Sequence, residues 1–332
     1  MYLKIARNST TLMEQNILVS FIITTYNLPP DRLEECIGSI MKLSLNPKER
    51  EIILVDDGSA LPSISALSDR QDDILYLRQF KQGLSVARNH GLQVASGQYI
   101  QFVDGNDYLL QMGYEHCLDL VRYHNPDIVC FEQTDRSVKE VPHAFSAPIS
   151  GSSFLHNNSN LNCSPNSYIF RKSTLREQRF TPGINHEDEE FTPLLFLKAE
   201  NIISTDARAY FYRLEDIPSM PLQKNKQYNI EMLADTERVI FHLKEKSFFL
   251  SETERIALDR RIARLTAEYL YDTIQQTRSA KLLDETIAHL YGKGLFPIPE
   301  KGFNRKYRLF CQALKSKAGR KVLVLTLPRK SR

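Results

Sequence analysis

A chain of 332 residues exceeds the usual size of one compact domain, so one large domain with an appendage, or two domains, is expected. With 42% hydrophobic, 25% charged and 10% aromatic residues, the composition is that of a folded globular protein and excludes a disordered or fibrous chain. The formal charge of +3 is unevenly spread: residues 301–332 hold eleven Lys or Arg and no acid, whereas the remainder sets 32 basic against 40 acidic residues, a net of −8. That distribution disfavours global nucleic-acid binding, and the basic segment is either a solvated tail or a surface that could meet anionic phospholipid headgroups.

Five cysteines, odd in number and without a Cys-x-x-Cys pair, argue against a disulfide framework or a structural zinc site and point to a reducing cytoplasm. The first 16 residues lack a signal-peptide apolar stretch, and no apolar run approaches the roughly 20 residues needed to span a bilayer. A protein that is neither secreted nor integral to a membrane is expected.

From residue 17 the sequence alternates short β-branched runs with amphipathic segments. Residues 17–23, 51–55, 74–77, 99–103 and 127–131 read as strands. Asp31 with Glu34 three residues on resembles a capping box, and Leu33, Ile37, Ile40 and Met41 form one apolar face of a helix over about 31–43. Further helices are expected over 84–96, stopped by Gly97, and over about 111–123, before Asn125-Pro126. This β-α-β alternation predicts a mostly parallel sheet covered by helices, with ligands beyond the carboxyl ends of the strands. Residues 132–167, rich in Ser, Asn, Pro and His, read as a long loop or lid. After about 226 the chain turns helical, and Ser251 with Glu254 forms a capping box before a long amphipathic helix.

The strand ends carry the polar residues. The first loop reads Thr24-Thr25-Tyr26-Asn27 and the second Asp56-Asp57-Gly58-Ser59. Such groups can hold a base and ribose by hydrogen bonds, whereas neither the dinucleotide-binding glycine pattern nor a P-loop occurs. Asp57-Gly58 is also a common turn signal, and Asp56 could cap the following helix. The third loop supplies Gly83, Arg88 and Asn89 near a helix start, whose dipole favours anions. The fourth strand ends in Asp104-Gly105-Asn106-Asp107, oxygen donors able to hold Mg²⁺ or Mn²⁺ against a diphosphate.

Taken in this order at successive strand ends, the four loops closely resemble glycosyltransferase family 2, whose fold is a nucleotide-binding α/β domain of the GT-A type. The resemblance implies that Thr25 and Tyr26 lie against the nucleotide, that Asp57 touches the base, and that Gly83, Arg88 and Asn89 line the donor pocket. Asp104, Asn106 and Asp107 then correspond to its metal motif, with Asn106 where the family places a second aspartate. A neutral amide there keeps an oxygen donor but removes one charge, which weakens a divalent site. Glu187-Asp188 within Asn185-His186-Glu187-Asp188-Glu189-Glu190 resembles the family's Glu-Asp segment, so Asp188 matches the base that deprotonates the acceptor, with Glu187 next in line. Taken alone, that acidic run is an ordinary exposed helix start. Tyr210-Phe211-Tyr212-Arg213 resembles the family's aromatic-Arg strand, which would let Arg213 steady the diphosphate.

By this resemblance residues 1–225 form the catalytic domain, with the donor site mainly in 17–110 and the acceptor and base region at about 150–215. Residues 226–332 form a helical appendage with the basic tail. The implied activity is inverting transfer from a nucleotide-sugar, a UDP-sugar, to a saccharide or lipid-linked saccharide. Bacterial surface polysaccharide synthesis at the inner face of the membrane is a frequent role of such relatives. The alternative, suggested by Asn106, is a non-catalytic nucleotide-sugar-binding protein. Residues 322–327 either insert shallowly at a membrane or form a strand or packed segment.

Overall fold

β1 (Val19–Thr25) is buried along its whole length, as a strand covered on both faces must be. In the computed structural model, which describes residues 17–136, 142–158, 160–214 and 226–328, β1 lies inside an eight-stranded sheet. After β1 come α1 (Pro30–Met41), β2 (Arg50–Asp56), a 3₁₀ segment over Ser63–Asp73 and β3 (Ile74–Arg78). These are followed by α2 (Leu84–Val94), β4 (Tyr99–Asp104), β5 (Tyr108–Leu109), α3 (Gln111–His124) and β6 (Ile128–Thr134). Then come α4 (Gly151–Asn157), β7 (Tyr168–Arg171), α5 (Lys172–Leu175), α6 (Glu187–Phe196) and β8 (Ile202–Phe211).

The sheet order is β3-β2-β1-β4-β7-β6-β8-β5. β1 pairs in parallel with β2 and β4, β2 with β3, and β6 with β8, while β7 runs antiparallel between β4 and β6. The sheet is therefore mostly parallel, as the alternation predicted. Register decides where the loops meet: Thr25 sits beside Asp56 and Thr24 beside Asp104, so three strand ends open together. α2 approaches β1 closely because Gly91 has no side chain; a Cβ there would lie 2.3 Å from Ile22 Cγ2.

Several local expectations are corrected. Asp31 and Glu34 form no capping box, since α1 begins at Pro30 behind Pro29 without a side-chain cap; proline's fixed φ and missing N–H suit that first turn. Residues 132–167 are not one long loop: β6 runs on to Thr134, and α4 forms because the Ser150 hydroxyl accepts from the Ser153 amide. Residues 137–141 and 159 of that stretch lie outside the described residues.

The chain divides into two units. One takes the residues up to Phe154, then Asn162–Gly183 and Glu187–Ile217; the other takes Leu155–Leu161, Ile184–His186 and the chain from Pro218 on. The second unit holds α7 (Lys226–Ser247), α8 (Glu252–Thr277), α9 (Ala280–Gly292), α10 (Arg305–Leu314) and α11 (Lys317–Thr326). The capping box ahead of α8 forms, with Glu254 accepting from the Ser251 amide at 3.0 Å. Residues 322–327 are not a strand: Ser316 caps α11 through the Gly319 amide at 3.0 Å, and the helix runs to Thr326. Among the described residues no helix is long and apolar enough to cross a membrane.

Candidate active site

The two aspartates after β2 differ in what holds them. Asp56 is fully buried and accepts from the Ser59 amide, the Ser63 amide and hydroxyl, and the Tyr76 hydroxyl. Burial alone would raise its pKa, but these donors hold it below the ordinary carboxylate value. Asp57 turns the other way. Its Oδ1 accepts from Gln79 Nε2 at 2.6 Å and the Gln82 amide at 2.8 Å, and its Oδ2 from the Gly83 amide at 2.9 Å. Gly83, at φ +94°, stands where chain geometry favours glycine and leads directly into α2. The first loop is tied to the second, because Asn27 Oδ1 accepts from the Ala60 amide at 2.8 Å. Thr25 is buried with a hydroxyl that finds no partner among the described residues, and Tyr26 lies under the Lys81 ammonium, 3.5 Å from its ring centroid.

Arg88 is the electrostatic centre. It is 3% exposed, lies against Phe102 and Phe180, and places NH1 2.6 Å from Glu187 Oε1 and NH2 3.5 Å from Asp104 Oδ1. Burial raises the pKa of Glu187, and Arg88 opposes that rise. Asn89, the next residue, grips the Phe180 backbone from both sides, donating to its carbonyl at 2.8 Å and accepting from its amide at 2.9 Å. Asp188 accepts from the neighbouring Glu189 amide and has no cationic partner among the described residues.

Beyond β4, Asp104 is 41% exposed and its Oδ2 accepts from Asn166 Nδ2 at 2.8 Å. Asp107 is buried: Tyr210 donates to Oδ2 at 2.8 Å and the Arg213 amide to Oδ1 at 3.0 Å. Burial, with Asp104 nearby, pushes its pKa to about 6. Arg213 itself pairs with Glu35 and donates to the Asn106 carbonyl. Thus the structure brings together Arg88, Asp104 and Glu187, and links Asp107 to Arg213. Asn166, Tyr210, Glu35 and Gln79 escaped sequence reasoning; of these only Tyr210 sat within a singled-out motif.

Residues 20–178 match the model of glycosyl transferase family 2. The chain is 31% identical over 239 residues to the uncharacterized glycosyltransferase EpsJ of Bacillus subtilis (strain 168), covering 64% of this chain and 69% of that protein. The chain belongs to glycosyl transferase family 2. This family member is also 24% identical over 200 residues to the poly(ribitol-phosphate) beta-N-acetylglucosaminyltransferase TarS of Staphylococcus aureus (strain Mu50), covering 58% of this chain and 35% of TarS. The structure of S. aureus TarS 1-349 with UDP-GlcNAc superposes with a TM-score of 0.64 at 17% identity, covering 93% of this chain and 91% of that one. The mannosyltransferase PcManGT from Pyrobaculum calidifontis, bound to GDP-Man and Mn²⁺, gives 0.54 at 13% identity, covering 94% and 88%. The glycosyltransferase therefore has the GT-A fold with a helical C-terminal region, and the proteins it matches include the minor teichoic acid biosynthesis protein GgaB of Bacillus subtilis (strain 168).

Can this glycosyltransferase hold a divalent cation? Among the described residues no three acidic, histidine or cysteine side chains form a metal cage. Asp107 has both oxygens engaged. Asn106, however, has a buried amide oxygen without a hydrogen-bond partner among the described residues, two residues along from the half-exposed carboxylate of Asp104. Two oxygen donors fit Mg²⁺ or Mn²⁺, which commonly keeps waters and substrate phosphates as its other ligands.

Proposed function

We propose that this glycosyltransferase moves a sugar from a UDP-sugar to a saccharide or lipid-linked saccharide with inversion at the anomeric carbon. The observation that carries this reading is the division of labour at the start of α6. Arg88 engages Glu187, while the adjacent Asp188 keeps a carboxylate without a cationic partner among the described residues. Asp188 takes the proton of the acceptor hydroxyl; that oxygen forms a bond to the anomeric carbon as the bond to the diphosphate oxygen breaks on the opposite face. A single displacement inverts the centre and needs no covalent intermediate. Asp104 and Asn106 would hold a divalent cation, which neutralises charge on the leaving diphosphate. Arg88 and Arg213 already have carboxylate partners, so their part is to fix the site's walls. UDP as the nucleotide is supported by the UDP-GlcNAc complex of TarS. Thermal shift and UDP-release assays across UDP-sugars, with and without Mn²⁺, test the reading: stabilisation and turnover by one UDP-sugar are expected. No response to any UDP-sugar would overturn it.

Asp57 is proposed to order the nucleotide pocket by holding Gln79, Gln82 and Gly83 in place. Asp57→Ala leaves those donors unpaired, and UDP affinity is expected to weaken by about 1.5–3 kcal/mol. Calorimetry giving unchanged UDP affinity would remove Asp57 from the site.

Attachment to the cytoplasmic face of an anionic membrane is a second part of the proposal. α11 exposes Lys317, Lys321, Val322 and Leu325, the last two 55% and 80% exposed, at helical spacing that places charge and apolar surface together. Each basic residue near such a bilayer contributes on the order of 1 kcal/mol, over a Debye length of about 8 Å. Removing everything after Glu300 would also take buried Tyr307, Cys311 and Leu314, so surface substitutions give the cleaner test. The variant Lys317→Glu, Lys321→Glu, Leu325→Ser is expected to lose at least tenfold in cosedimentation with vesicles containing phosphatidylglycerol. Undiminished binding would exclude α11 as the contact.

A further inference from the structure

At their carboxyl ends β6 and β8 stop matching residue for residue. Their parallel register shifts between Cys130 and Glu132 and again between Glu132 and Gln133. Such irregularities re-aim side chains and often border functional sites. Here they border a groove of about 760 Å³, within the range of small-ligand sites.

Its lining has a particular chemistry. Tyr212, a residue 46% exposed, contributes an aromatic ring. Gln133 and Asn162 face each other through a long contact, Asn162 Nδ2 to Gln133 Oε1 at 3.3 Å, and Gln133 Nε2 reaches Ser164 Oγ at only 3.3 Å. Bonds near the length limit are readily exchanged for better ones. Every charge in the lining has its opposite beside it: Arg208 lies 3.5 Å from Glu132, and Arg136 lies 3.6 Å from Asp135. A groove neutralised from within does not attract a polyanion. An aromatic platform flanked by carboxamides and charged groups instead suits a neutral ligand with many hydroxyls and an apolar ring face.

The walls of the groove lead to the reaction centre. Tyr212 donates its amide to Thr134, and its neighbour Arg213 donates to Asp107. On the other wall, Asn162 and Ser164 precede Asn166, whose amide holds Asp104. β6 is two strands from β4, a lateral offset of about 10 Å at ordinary strand spacing. The nucleotide elements, β1, β2 and β3, lie on the far side of β4.

We infer that this groove is the acceptor subsite and that it takes an uncharged hexose or N-acetylhexosamine unit, stacked on Tyr212 and hydrogen-bonded by Gln133 and Asn162. The inference rests on the transfer reading above and adds the place and chemical class of the acceptor. The test is saturation-transfer NMR on the full-length protein with UDP present. The probes are cellobiose, maltotriose, lactose and N,N′-diacetylchitobiose at millimolar concentration. At least one is expected to bind the wild type. Tyr212→Ala and Gln133→Ala should each lower that affinity at least tenfold with UDP affinity unchanged, Tyr212→Phe should retain it, and Tyr123→Ser, far along α3, should not alter it. Equal binding by Tyr212→Ala, Gln133→Ala and wild type would overturn the subsite, as would failure of all four probes to bind. Salt-sensitive binding of a polyphosphate in the groove, lost in Arg208→Ala, would also overturn it. UDP release from UDP-GlcNAc and UDP-glucose with water as acceptor is followed in parallel. If no UDP-sugar stabilises the wild type or releases UDP, yet a saccharide binds in a Tyr212-dependent way, the donor reading fails while the saccharide site stands.

Discussion

Asp188→Asn is expected to bind UDP-sugar as tightly as the wild type and to lower kcat by roughly 10²–10⁴-fold, the usual contribution of a positioned general base. The reason lies in the pairing of its neighbour. Glu187 has Oε1 taken by the buried guanidinium of Arg88 at 2.6 Å, so although burial raises its pKa, that oxygen cannot accept from an acceptor hydroxyl without giving up the ion pair. Asp188, one residue on, carries no such partner among the described residues. The amide of Asn keeps the shape and the hydrogen bond from the Glu189 N–H but cannot take a proton. The split between unchanged donor affinity and lost turnover is the signature to look for. A variant with near-wild-type turnover on an identified acceptor would transfer the role to another residue.

Arg88→Ala is expected to be the most destabilising of the site variants, by about 3–5 kcal/mol in chemical denaturation, because it strips the counter-charge from a buried carboxylate. Glu187 is only 13% exposed as a side chain, and the guanidinium also fills the space beside Phe102 and Phe180. Arg88→Lys restores a charge but not a planar group able to reach Glu187 and Asp104 together, and should recover only part of the loss. A change under about 1 kcal/mol for Arg88→Ala would mean that water satisfies Glu187 in the variant.

The parallel half of the fold was legible because its signals are local. β-branched runs marked β1 to β4 to within two residues, and the polar strand ends marked the loops that register brings together at Thr25, Asp56 and Asp104. What escaped was pairing across distance. Nothing near Arg213 announces Glu35, which meets it from 178 residues away, nor does the Ser- and Asn-rich run before β7 announce that Asn166 holds Asp104 across 62. The base role of Asp188 was suggested by resemblance alone; that Arg88 engages Glu187 across 99 residues, and so sets the two acids apart, emerges only in the folded chain. The Asp31 and Glu34 pattern misled because a proline pair immediately before it had already fixed the first turn of α1. Likewise Val322-Leu323-Val324-Leu325 has strand-like composition, yet the Ser316 cap and packing against neighbouring helices override that preference.

Arg88 and Asn89 are neighbours on one helix, and one holds the carboxylate of Glu187 while the other holds the main chain of Phe180. The same helix begins at Gly83, whose amide is fixed by Asp57. For anyone building chimaeras, α2 is therefore not a free module. A graft that imports a foreign α2 has to bring matching partners at 57, 180 and 187, or α6 loses its anchor. β6 carries none of these three contacts, whereas β8 supplies Tyr210, which holds Asp107, so an exchange of strands on that side of the sheet has to keep Tyr210.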